Sequence, residues 1–123
     1  MAKLRKRLLL DAIIVILGSA AIIVPLAIFG PGARQRRNLR KADQHIPVIQ
    51  RILGSDRRFS KIEVKRFTGH DGCIMVHGDL DLIRDYDDLK AIVGSTAPPV
   101  GVAYYVSIDG KDQPGEYLPQ PEQ

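Results

Sequence analysis

From Ala12 to Phe29 the chain reads AIIVILGSAAIIVPLAIF, eighteen positions without an ionisable side chain. Leu8, Leu9 and Leu10 bring the apolar stretch to about the ~20 residues a helix needs to cross a bilayer core. Lipid cannot satisfy free backbone N–H and C=O groups, so such a stretch inserts as a helix. Gly30-Pro31-Gly32 then predicts its end. Beyond it the apolar positions become periodic. Ile46, Ile49, Ile52 and Leu53 make a helical stripe, with Asp43 as the expected N-cap, Pro47 in or near the first turn and Gly54 at the C-cap. Ser60 to Phe67 alternates, with Ile62 and Val64 inward, and predicts a strand. Thr68-Gly69-His70-Asp71-Gly72 predicts a turn, and Cys73 to Gly78 a second, more buried strand. Ile83, Tyr86, Leu89, Ile92 and Val93 share one face of a helix expected over residues 82–93. After Pro98-Pro99, the positions Val100, Val102, Tyr104, Val106 and Ile108 line one side of a last strand.

The predicted fold is α+β: an N-terminal transmembrane helix, then a small αββαβ domain with a three-stranded mixed sheet. Four segments follow: an anchor over residues 1–33, a basic juxtamembrane linker over 34–42, the folded domain over 43–108 and a tail over 109–123. The tail, DGKDQPGEYLPQPEQ, has little apolar content and is expected to be mostly disordered, with Asp109-Gly110 able to open a short hairpin.

Charge sharpens this division. Residues 1–41 hold nine Lys and Arg against Asp11 alone, whereas residues 42–123 hold nine Lys and Arg against thirteen Asp and Glu. The net +4 therefore arises from a +8 anchor region and a −4 domain. An acidic domain argues against nucleic acid as a partner. Lys3, Arg5, Lys6 and Arg7 before the apolar run, and Arg34, Arg36, Arg37, Arg40 and Lys41 after it, are the expected membrane-interface residues. Cations at such positions reach headgroups and attract anionic lipid at about 1 kcal/mol each. With four cations before the run and five after it, charge does not decide orientation. Two other readings of the run compete. A cleaved signal peptide would have an apolar core of about 7–15 residues, shorter than this one, and Pro31 spoils the nearby small-residue site. A buried soluble helix would carry a polar face, which the run lacks.

Candidate chemistry is sparse. His70, Cys73 and His77 include metal-ligand types, but Cys73 and His77 lie about 13 Å apart on an extended strand. One zinc ion needs ligands at about 2.0–2.3 Å, and a nucleophile pair needs hydrogen-bond contact. Asp79, Asp81, Asp85, Asp87 and Asp88 lack the central Gly and closing Glu of an EF-hand loop, and fit a solvated helix N-terminus. No phosphate loop, nucleophile elbow or HExxH motif is present. Catalytic residues, metal ligands and cofactors are therefore not expected. With Cys73 as the only cysteine, no intrachain disulfide forms.

Asp56-Arg57-Arg58-Phe59, Ile62-Glu63-Val64 and Val76-His77-Gly78-Asp79-Leu80, in the order α-β-β-α-β, resemble the BON domain of bacterial envelope proteins over residues 43–108. Val76-x-Gly78-x-Leu80 is similar to that family's strand end, where glycine permits a bulge or tight exit. Pro98-Pro99-Val100 departs from the family, which commonly has Gly-Val there and an Asn in the last strand. The resemblance implies a non-catalytic domain outside the cytoplasm, associated with membrane lipid or envelope proteins. Ring-building domains of inner-membrane assemblies share the element order and keep self-association open as an alternative.

Overall fold

The computed structural model describes residues 32–120, which form a mixed α+β domain. The apolar run and Lys3, Arg5, Lys6 and Arg7 lie outside the described residues. Among the described residues, no helix is long and apolar enough to cross a membrane.

The first helix, α1, spans Ala33–Gly54 and begins ten residues before the expected cap at Asp43. Residues 34–42 are thus not a linker but the opening turns of α1. Local physics favours this, because no breaker follows Gly32 and Arg, Gln, Leu, Lys and Ala dominate the stretch. The turn between the first two strands adds a tertiary reason. Gln35 Nε2 donates to the Thr68 carbonyl at 2.8 Å, and Asn38 Nδ2 donates to that of Asp71 at 2.9 Å. The turn passes so close that a side chain at Gly72, where φ is +91°, would meet the Gln35 carbonyl at 2.8 Å. Pro47 falls inside the helix rather than in its first turn. Its cost of roughly 3 kcal/mol is offset by the stripe Ala42, Ile49 and Leu53, all buried against the sheet.

A 3-10 turn, Arg57–Phe59, leads to strands β1 (Ile62–Phe67) and β2 (Cys73–Leu80), paired antiparallel with Val64 opposite Val76. Helix α2 (Ile83–Ser95) then crosses over to β3 (Val102–Ile108), which runs parallel to β2 with Val76 opposite Tyr104. A parallel neighbour requires such a crossover, and the helical period of residues 83–93 had predicted it. Both helices cover one sheet face. Val64, Ile74, Val76, Leu80, Val102, Tyr104, Val106 and Ile108 meet Tyr86, Leu89 and Val93 of α2 there. Tyr104 is 1% exposed and its neighbour Tyr105 is 45% exposed, as alternation demands.

The tail corrects the expectation of disorder, and the sheet has five strands instead of three. Asp109 and Gly110 both take positive φ (51° and 75°), as a two-residue hairpin requires, and β4 (Lys111–Asp112) returns along β3. Strand β5 (Glu116–Leu118) continues along the same edge, pairing Tyr104 with Glu116 and Val102 with Leu118. Between them the Gln113 N–H donates to the Val106 carbonyl at 3.0 Å. Composition hid this because the stabilisation comes from backbone groups and a few side chains. Tyr86 Oη donates to Glu116 at 3.1 Å, Lys90 Nζ to the same oxygen at 3.0 Å, and Tyr117 stacks on His70 with ring centres 3.8 Å apart.

Candidate interaction surfaces

Five of the expected interface cations fall on α1. At roughly 100° per residue, Ala42, Ile46, Ile49 and Leu53 mark its buried side; Arg36, Arg37, Arg40 and Lys41 fall on the opposite half, and Arg34 stands at the border, beside His70 and Tyr117. All five are exposed. The first turn of α1 carries no acidic residue. The helix dipole places partial positive charge at that end and acts within the first turn, so it disfavours Arg34 and Arg36 by about 0.3–1 kcal/mol each.

Arg58, which the sequence placed only within a short resemblance, is the hub of the acidic region. Its guanidinium reaches Asp56 at 2.8 Å, Asp88 at 2.6 Å and Asp85 at 3.4 Å. Asp56 also accepts the Arg58 backbone N–H at 3.0 Å, capping the 3-10 turn. The Arg58 side chain, followed by its backbone N–H, holds the Asp56 carboxyl below its usual range. Part of the expected solvated acidic face is thus a clamp between this turn and α2, with Asp85 buried. The clamp stabilises the fold and offers no spare cation for a ligand.

Across the domain, Thr96 Oγ1 donates to the Val93 carbonyl at 2.7 Å and so accepts the Nε2–H of His45 at 2.8 Å. Burial holds the His45 imidazole below its ordinary pKa. This contact joins the middle of α1 to the end of α2.

The metal-ligand types do not converge. Cys73 is fully buried, and that burial pushes its thiol up. His70 is stacked on Tyr117. His77 Nε2 lies 3.2 Å from Glu63 without hydrogen-bond alignment. Among the described residues, no three or more His, Cys, Asp or Glu side chains are grouped to hold a metal ion.

A cavity of about 550 Å³ opens between α2 and β5, walled by Pro98, Pro99, Val102 and Leu118 with Lys90 at its side. The Lys90 ammonium is already engaged by Glu116 and sits 4.3 Å from the Tyr86 ring centre. Burial, then the Glu116 hydrogen bond, raises the Tyr86 phenol to about 12, which keeps it protonated at neutral pH. The sheet face away from the helices carries Phe67 and Tyr105, packed edge to face at 6.1 Å.

The two ends of the sheet differ. Tyr104 and Val102 on the outer side of β3 are paired by β5, Val106 by Gln113 and Ile108 by β4. Among the described residues, β1 has a sheet neighbour on one side only. No family model matches the chain, and no curated protein or solved structure matches it either.

Proposed function

We propose that this chain is a single-pass membrane protein whose small, non-catalytic, BON-like domain associates with the bacterial envelope from the extracytoplasmic side. The observation that carries the reading is the cationic ridge of α1, which follows directly in sequence on the apolar run 12–29. Five exposed cations on one helix, the first two in a turn whose dipole disfavours them, suit an anionic lipid surface. The remainder of the domain is acidic and gains nothing from that surface, so contact is limited to the ridge. Two further features fit the BON-like reading. The element order is α-β-β-α-β with an added tail, and Gly78 of Val76-x-Gly78-x-Leu80 holds φ at +141° inside β2, two residues before its end. The mechanism is tethering: the anchor confines the domain to the membrane, and the ridge lays α1 against the headgroups.

The chain has no tryptophan, so a single reporter can be introduced. Gln44 is exposed on the ridge side of α1. In full-length chain carrying Gln44→Trp, reconstituted in vesicles, brominated lipid is expected to quench the fluorescence strongly when phosphatidylglycerol is present. Little quenching is expected with phosphatidylcholine alone or at high salt, where the Debye length shrinks to about 3 Å. Replacing the five cations with Gln should abolish the anionic-lipid effect. Equal quenching in both lipids would contradict the role given to the ridge.

A further inference from the structure

We infer that the free edge of β1 is a homotypic pairing surface, on which a second copy of this chain adds its own β1 antiparallel in one register. The inference does not rest on membrane attachment. It begins with where the backbone groups of β1 point. Ile74 N–H donates to the Gly101 carbonyl, which turns the backbone groups of Ile74, Val76 and Gly78 toward β3. Those of Cys73, Met75 and His77 therefore turn toward β1 and engage Phe67, Lys65 and Glu63. The N–H and C=O groups of Ile62, Val64 and Arg66 are left facing outward. An independent contact agrees, because the Val64 carbonyl accepts Gln50 Nε2 from α1 at 3.4 Å, a long and part-buried bond.

The opposite edge of the sheet is closed by the chain's own tail, while β1 carries no proline and runs six residues without interruption. Beside it a groove of about 590 Å³ separates β1 from the last turns of α1, leaving room for an incoming strand. The edge is therefore geometrically able to accept a partner, and its side chains select which one.

Only residues with outward backbone groups can form hydrogen-bonded pairs across a new junction, and three registers keep Val64 paired within β1; pairing Ile62 with Ile62 also sets Glu63 against Lys61 but leaves Val64 and Arg66 without a β1 partner. Pairing Ile62 with Val64 of the other copy sets Glu63 against Glu63 and Lys61 against Lys65. Pairing Val64 with Arg66 sets Lys65 against Lys65. Pairing Val64 with Val64 sets Glu63 against Lys65 and Lys65 against Glu63, twice favourable by symmetry. These charged positions are the non-hydrogen-bonded pairs, whose Cα atoms approach to about 4.5 Å, where side chains interact most closely. The chosen register also places Val64 on Val64 at the two-fold axis, with roughly six backbone hydrogen bonds across it once the long Gln50 bond to the Val64 carbonyl gives way. Lys65 thus penalises the wrong registers and rewards the right one, which makes it a selector rather than simply a guard on the edge. Glu63 lies between His77 of its own chain and Lys65 of the other.

The test uses full-length chain in mild detergent, with two differently tagged copies carrying Glu63→Cys and Lys65→Cys. On oxidation, the mixture is expected to form a disulfide between unlike copies. Either variant alone should form little, because like positions are about 8 Å apart in this register and a disulfide needs Cα atoms within about 7 Å. The native Cys73 is buried and does not compete. Charge reversal provides a second reading through the dimer fraction. Lys65→Glu or Glu63→Lys alone should weaken association about tenfold, and the double swap, or a mixture of the two single variants, should restore it. Cross-linking absent from the mixture, equally efficient in one variant alone, or unaltered by charge reversal would overturn the inference. Capture of a different protein by this edge, with no homotypic product, would do so as well.

Discussion

Gly78→Ala is expected to destabilise the folded domain by about 3 kcal/mol or more, from strain and overpacking together. Gly78 holds φ at +141° in the middle of a three-strand row, opposite Ile62 on one side and Val106 on the other. A Cβ there would strike the Lys61 carbonyl oxygen and would lie 3.0 Å from the Ile62 Cα. Both obstacles are backbone, so relief requires β1 to move away from β2. That motion also disturbs Phe59 and Val64 in the core. Urea unfolding of full-length chain in detergent, followed by circular dichroism, measures the loss. Gly94→Ala is the matching control: open space surrounds that position in α2, and alanine there should stabilise by about 0.4–1 kcal/mol. Equal stability of the two variants would contradict the close approach of β1 and β2.

Ending the chain after Gly110 should cost on the order of 4 kcal/mol and expose β3 to aggregation. The truncation removes the partners of Val102, Tyr104, Val106 and Ile108. It also removes Glu116 from Lys90 and Tyr86, and Tyr117 from His70. Backbone hydrogen bonds contribute about 0.5–1.5 kcal/mol each, and an aromatic pair adds a similar amount. Unfolding midpoints and light scattering on full-length and truncated chain provide the measurement. A truncated chain as stable as the parent would show that the tail contributes nothing. Glu116 also confers an acid dependence. The Lys90 ammonium, with help from the Tyr86 hydroxyl, holds its carboxyl below the ordinary glutamate value. Its contribution is therefore complete above that ordinary value and is lost as pH falls through the lowered folded one. Glu116→Gln should flatten this part of the acid unfolding curve.

What could be read from the chain depended on whether stabilisation came from a repeating side-chain pattern. The alternation of β3, the helical face of α2 and the turn after β1 carried strong local signals, and the structure agrees there within a few residues. Gly78 stood out as a strand exit, but β2 continues to Leu80; glycine is needed there because the backbone takes a positive φ close against Lys61 and Ile62. The start of α1 was missed because its opening turns are held by Gln35 and Asn38 on a distant turn, with only Ala42 on the buried stripe before Ile46. The tail was missed for a related reason. A strand that completes an existing sheet needs backbone and a few anchors such as Glu116 and Tyr117, not a hydrophobic pattern of its own. Among the candidate functional residues, the cations of the interface were visible as a run, but their gathering on one side of α1 required knowing that the run is helical. Arg58 gave no advance sign of its role, since Asp85 and Asp88 join Asp56 around it only when α2 packs beside the 3-10 turn.

We propose that residues 8–29 anchor the folded domain on the extracytoplasmic side of a membrane. Protease accessibility of the domain, compared between spheroplasts and inverted inner-membrane vesicles, tests it most directly. The domain is expected to sediment with membranes, to be digested in spheroplasts and to be protected in inverted vesicles. Digestion only in inverted vesicles would put the domain in the cytoplasm, and recovery of the chain in the soluble fraction would remove the anchor altogether.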